Sequence, residues 1–155
     1  MKILISLLTI SLLVFNASIN AKPIAAGKPI DIVVYRSPTC GCCGKWLEHL
    51  KQNNFNVKDI VTDDVQAIKQ KYGVSEAMAS CHTAIVDGYV IEGHVPANDV
   101  MTLLKNKPKI VGIAVPGMPS GTPGMEMGGK RDAYNVMSFD KENHSAIYHS
   151  YVDNK

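Results

Sequence analysis

Ser37-Pro38-Thr39-Cys40-Gly41-Cys42-Cys43-Gly44-Lys45-Trp46 places three of the chain's four cysteines within four positions. On its N-terminal side, Ile30-Asp31-Ile32-Val33-Val34-Tyr35 is a β-branched run that predicts a buried strand, and Ser37-Pro38-Thr39 ends it. On its C-terminal side, Trp46, Leu47 and Leu50 recur on one face of a helix opening near Gly44 and ending near Asn53-Asn54. The cysteines therefore lie in a strand-to-helix turn. There the helix N-terminus and Lys45 supply positive charge that favours a thiolate, the form that acts as nucleophile and metal ligand.

Farther along, Phe55 to Val61 predicts a second strand, and Asp63-Asp64 caps a helix reaching about Tyr72, with Gly73 at its end. Thr83–Val86 and Tyr89–Gly93 flank Asp87-Gly88, a strong hairpin signal. Pro96-Ala97-Asn98-Asp99 opens a helix running to about Lys105. The resulting α/β order, β-α-β-α-β-β-α, is similar to that of the thioredoxins. In that arrangement the cysteine turn faces the loop entering the third strand, here Ala79-Ser80-Cys81-His82-Thr83, so the distant Cys81 comes to the other three. The cis-proline usual in that loop is absent, which weighs against ordinary exchange with peptide disulfides. Val111 to Gly129, rich in glycine, proline and methionine, predicts an ordered but irregular loop. Tyr134–Phe139 and Ala146–Tyr151 predict a C-terminal β-hairpin around Lys141-Glu142-Asn143.

The chain has 155 residues, a formal charge of +2 and scattered basic residues, which suits one domain and gives no electrostatic footprint for nucleic acid. Residues 1–21 carry a basic start, an apolar run from Ile3 to Phe15 and a small, polar end near Ala21. This is the pattern of a cleaved secretory signal peptide. The run is shorter than the roughly 20 residues a spanning helix needs. The expectation is a periplasmic domain over 22–155 with no membrane span after cleavage.

Export makes the cysteine cluster a disulfide framework, a redox site or a metal site. Four thiols allow three pairings, and Cys40-x-x-Cys43 suits either a redox pair or a two-thiolate metal clamp. Adjacent Cys42 and Cys43 are poorly disposed to bridge each other. Met118, Met125 and Met127 in the Gly/Pro loop add thioethers, which select Cu(I). His82 and His94 are further candidate ligands. His49 is expected on the helix surface, His144 and His149 in solvent, and Met78, Met101 and Met137 in packing roles. Soft sulfur excludes magnesium and calcium and leaves copper or zinc.

Together, "SPTCGCCGKWLEHL", "SCHTAIVDGYVIEGHVPA" and "GIAVPGMPSGTPGME" resemble the CopG-like copper-resistance family over about residues 30–150. The resemblance implies an exported thioredoxin-like protein that binds copper through Cys40, Cys42, Cys43 and Cys81, with a role in interconverting Cu(I) and Cu(II). The methionines and histidines carry over less securely. More than one copper ion is accommodated if thiolates bridge, and other periplasmic copper-export or copper-oxidase proteins are the expected partners. A thiol–disulfide oxidoreductase is the main alternative, and an iron–sulfur carrier is a third reading.

Overall fold

The structure, a computed structural model, describes residues 27–126 and 128–152; the expected signal segment, residues 1–21, and Met127 lie outside the described residues. In chain order the elements are β1 (Ile30–Arg36), α1 (Cys43–Gln52), β2 (Phe55–Val61), α2 (Val65–Lys71), a short 3-10 turn (Glu76–Met78), β3 (His82–Val86) and β4 (Tyr89–Glu92). After them come α3 (Ala97–Asn106), β5 (Gly112–Ala114), β6 (Tyr134–Phe139) and β7 (Ser145–Tyr151). One sheet holds all seven strands in the order β2-β1-β3-β4-β5-β6-β7. The β1–β2 and β4–β5 pairs are parallel and the others antiparallel.

Strand pleating sends alternate side chains to opposite faces. Ile32 and Val34 of β1, Ala84 and Val86 of β3, Ile91 of β4 and Ile113 of β5 pack against Trp46, Leu47 and Leu50 of α1 and Val100 and Leu103 of α3. Val90, Ala114 and Phe139 form a smaller core with Val74, Met78 and Tyr72 on the side of α2. α1 buries Cys43, Trp46, Leu47 and Leu50, the i, i+3, i+4, i+7 stripe of an amphipathic helix. Asp64 caps α2 by accepting the Ala67 N–H, as its sequence position predicts. Asp87 and Gly88 both adopt positive φ, which a two-residue hairpin turn of this hand requires.

The 111–129 stretch differs from expectation. Its first part is a strand, β5, and this strand joins the core sheet to the C-terminal hairpin. At Gly112 a Cβ would collide with the Val90 carbonyl, so the close β4–β5 approach needs glycine there. A β-bulge between Val136 and Met137 interrupts the β6–β7 register. Among the described residues no helix is long and apolar enough to cross a membrane.

One histidine corrects the expectation, and a second, exposed as expected, adds a contact to it. His49 is half-buried, and its Nε2 accepts the Ala97 N–H at 3.0 Å, so it serves the open N-terminus of α3. Burial lowers its pKa, in keeping with a neutral acceptor. His149 Nδ1 lies 2.7 Å from Asp99 Oδ1, and the Tyr151 hydroxyl donates to Asp99 Oδ2 at 2.7 Å, so His149 ties β7 to α3. His144 is exposed as expected, beside Asp140. Met78, Met101 and Met137 pack against the cores.

Candidate metal centre

β1 ends at Arg36 and α1 begins at Cys43, so the intervening turn presents Cys40 and Cys42 at the sheet's end, with Cys42 at the N-cap of α1. β3 runs antiparallel to β1, with Arg36 opposite His82, which puts the start of β3 at that same end. The sulfurs of Cys40, Cys42, Cys43 and Cys81 all lie within 4.8 Å of one another. Cys40 and Cys43 are joined as a disulfide, whereas Cys42 and Cys81 are free. Cys43 is fully buried, while the other three are partly accessible.

Cys81 also belongs to a second cluster, with His82 and His94, whose ligand atoms again fall within 4.8 Å of one another. Its Sγ is 3.2 Å from His94 Nε2 and 3.3 Å from His82 Nδ1; His82 Nδ1 is also 3.3 Å from the Cys43 sulfur. The hydrogen-bond directions follow from one anchor. A carbonyl can only accept, so His94 Nδ1–H donates to the Pro123 carbonyl at 2.7 Å, and Nε2 is left as a lone pair facing Cys81. The Cys81 thiol can then donate to His94 Nε2, and His82 Nδ1–H to the Cys81 sulfur. Burial first, and the neighbouring Cys42 second, push the Cys81 thiol up to about 11, in keeping with a protonated thiol in the metal-free protein. Burial lowers both histidines, His82 the more strongly, so both rings are neutral and competent to ligate. His82 Nε2 is buried without a hydrogen-bond partner, so the ring's polar contacts run through Nδ1 toward sulfur. Trp46 packs on that ring at 4.3 Å between centroids.

The glycine-rich loop is fastened over this end of the sheet. Gly117 N–H donates to Ala79, and the Gly117 carbonyl accepts from Ser80 Oγ. Gly124, at φ +83°, approaches α1 so closely that a Cβ would sit 2.7 Å from the Trp46 backbone nitrogen. This loop supplies the Pro123 carbonyl that orients His94, a backbone contact with no signature in the side-chain pattern. Of the loop methionines, Met125 is partly buried and Met118 is 57% exposed. The four cysteines, His82 and His94 are thus brought together.

Comparison with known proteins agrees with this chemistry. Residues 78–125 match a family model described as a protein of unknown function, DUF411. No curated protein matches the chain. A solved structure named copper resistance protein copG, Form 2, is 44% identical, with a TM-score of 0.76, covering 80% of this chain and 99% of that one. The Form 1 structure of the same name is 46% identical, with a TM-score of 0.75, covering 79% and 98%. Copper-resistance relatives and a cysteine cluster able to hold a metal give the protein a copper-related role. At this identity, over nearly the whole length of those relatives, the chain belongs to the CopG copper-resistance family.

Proposed function

We propose that the chain is a periplasmic copper-binding protein that holds Cu(I) on Cys40, Cys42, Cys43 and Cys81 and interconverts Cu(I) and Cu(II), with Cys40 and Cys43 as the redox pair. The observation that carries this reading is the convergence of four sulfurs within 4.8 Å, two of them in a bond that reduction opens. Thiolates select Cu(I) and can bridge it, so more than one ion fits the reading. Oxidation of the Cys40 and Cys43 thiols to a disulfide releases two electrons and two protons, enough to reduce two Cu(II) to Cu(I). Cys81, His82 and His94 form an overlapping one-sulfur, two-nitrogen set, which suits Cu(II) better than four thiolates do. Export rests on the pattern of residues 1–21, and a thioredoxin-like core on the β2-β1-β3-β4 order with α1 and α3 opposite α2. Met125 and Met127 are proposed as soft ligands from the loop. Met118, which is 57% exposed, is proposed as a soft ligand with them. Periplasmic copper-export or copper-oxidase proteins are the proposed partners.

Thiol–disulfide exchange is the second reading, favoured by a closed Cys40–Cys43 pair in which Cys43 is buried and Cys40 accessible. Anaerobic Cu(I) titration against a competing chelator, on oxidised and reduced protein, separates the two. The copper reading expects greater capacity after reduction, quenching of Trp46 fluorescence, and loss of tight binding in Cys40→Ser and Cys43→Ser. Unchanged stoichiometry in both variants overturns it.

A further inference from the structure

Behind the sulfurs, on the α2 face of the sheet, lies a charged pair that the metal centre does not touch. Glu92, fully buried at the end of β4, meets Lys69 Nζ of α2 at 2.5 Å, and the Lys69 side chain is only 5% exposed. The same carboxylate accepts the Ser80 backbone N–H at 2.6 Å and the Thr83 hydroxyl at 2.7 Å. Lys69 also donates to Thr83 Oγ1 at 3.1 Å. One carboxylate therefore joins α2, β3, β4 and the segment leading into β3. Its partners Ser80 and Thr83 bracket Cys81 and His82 in the chain, and His94 follows Glu92 by two residues.

A buried ion pair of this kind is weak evidence of stabilisation, since well-packed apolar side chains often do as well or better. An apolar pair could not replace the acceptor that the Ser80 N–H finds. Ser80 precedes Cys81 directly, and its hydroxyl is bound on the other side to the Gly117 carbonyl. Gly93 at φ +72° leaves it room, because a Cβ there would lie 2.5 Å from Ser80 Oγ. We infer that Glu92 is a positioning residue: by holding the Ser80 amide from the opposite face of the sheet, it sets the place of Cys81 between His82 and His94. The inference rests on the copper reading for its consequence, though not for its geometry.

Two double variants test it. Lys69→Met with Glu92→Gln removes both charges but keeps a carbonyl oxygen for Ser80. Lys69→Met with Glu92→Leu removes that acceptor. The glutamine pair is expected to bind Cu(I) within about threefold of wild type, and the leucine pair about 10–100-fold more weakly, the usual range for residues that orient metal ligands. In metal-free, oxidised protein, iodoacetamide labelling of Cys81, followed by peptide mass mapping, is expected to speed up about tenfold in the leucine pair and to stay near wild type in the glutamine pair. Equal behaviour of the two pairs in the labelling arm overturns the inference. If wild-type protein takes up no Cu(I), the copper reading fails, and labelling still decides on Glu92. If the leucine pair does not fold, amide hydrogen exchange of Ser80 decides in wild type. Exchange as slow as that of the paired β3 amides supports the inference, and exchange at a free-loop rate overturns it.

Discussion

Gly124→Ala tests whether the glycine-rich loop takes part in the metal centre or merely covers it. At φ +83° an L-residue costs about 1–2 kcal/mol. The new Cβ would also stand 2.7 Å from the Trp46 nitrogen and 3.1 Å from the Lys45 carbonyl carbon, both backbone atoms of α1. A helix backbone does not yield, and overpacking of this sort costs about 1–3 kcal/mol if the loop stays in place. Moving the loop is cheaper. It forfeits the hydrogen bond from His94 Nδ1 to Pro123, worth about 0.5–1.5 kcal/mol. The expected result is a global destabilisation of about 1.5–3.5 kcal/mol by chemical denaturation, the φ cost and the lost hydrogen bond together, with a local effect at His94. Without its carbonyl partner, His94 no longer holds Nε2 toward Cys81, and copper affinity falls about tenfold, equivalent to about 1.4 kcal/mol. Competitive copper titration measures the affinity, and nitrogen NMR of the imidazoles reports the tautomer. Gly128→Ala is the control, because it carries a comparable φ of +72° with nothing within 4 Å of the added Cβ. If Gly124→Ala keeps both the His94 tautomer and wild-type affinity within twofold, the loop has no hand in orienting the ligand.

Three further outcomes follow from the frame around the site. His49 is lowered by burial, so its stabilising contribution is complete above its ordinary value of about 6.5 and is lost as pH falls through the lower folded value; denaturation midpoints between pH 7 and pH 5 are expected to fall less steeply in His49→Gln than in wild type. Asp99→Ala leaves His149 and Tyr151 without their shared acceptor; a loss of about 2–4 kcal/mol in urea unfolding is expected, with Asp99→Asn milder. Gly112→Ala drives a Cβ into the Val90 carbonyl; it is expected to unpair β5 and expose the amides of β5 and β6 to rapid hydrogen exchange.

The parts of the fold legible in the sequence are those whose signal is local. The β1 run, the Trp46 stripe, the Asp64 cap and the Asp87-Gly88 turn each state their own conformation, and the elements fall within one or two residues of expectation. Their order, similar to that of the thioredoxins, implies that β3 lies beside β1, and the observed β1–β3 pairing brings Cys81 to the cysteine turn. β5 was hidden because three residues, Gly112-Ile113-Ala114, carry no period. It is a strand by virtue of what flanks it, and its glycine, which reads as a loop former, is there to admit Val90. The partner of His94 was hidden for a similar reason, being the main-chain carbonyl of Pro123 rather than a side chain. Glu92 did leave a trace, an acid within the apolar strand Tyr89-Val90-Ile91-Glu92. Its partner Lys69 could not be read, since pairing between helix and strand depends on which face of the sheet α2 covers.

The two ligand sets share one atom, Cys81 Sγ, and this constrains any redox cycle at the site. If one copper ion used both sets in turn, a change of oxidation state would be answered by a shift about that common ligand, whereas a bridging Cys81 thiolate would let both sets fill together. The reach required is short, because each set spans no more than 4.8 Å, and side-chain adjustments can cover it without moving the sheet. Closing the Cys40–Cys43 bond withdraws two thiolates from the first set and leaves the second intact. The electrons that reduce copper would thus come from the ligands that Cu(I) prefers. Release of the product would then be coupled to the same step that makes it, provided Cys81 stays fixed while its partners change.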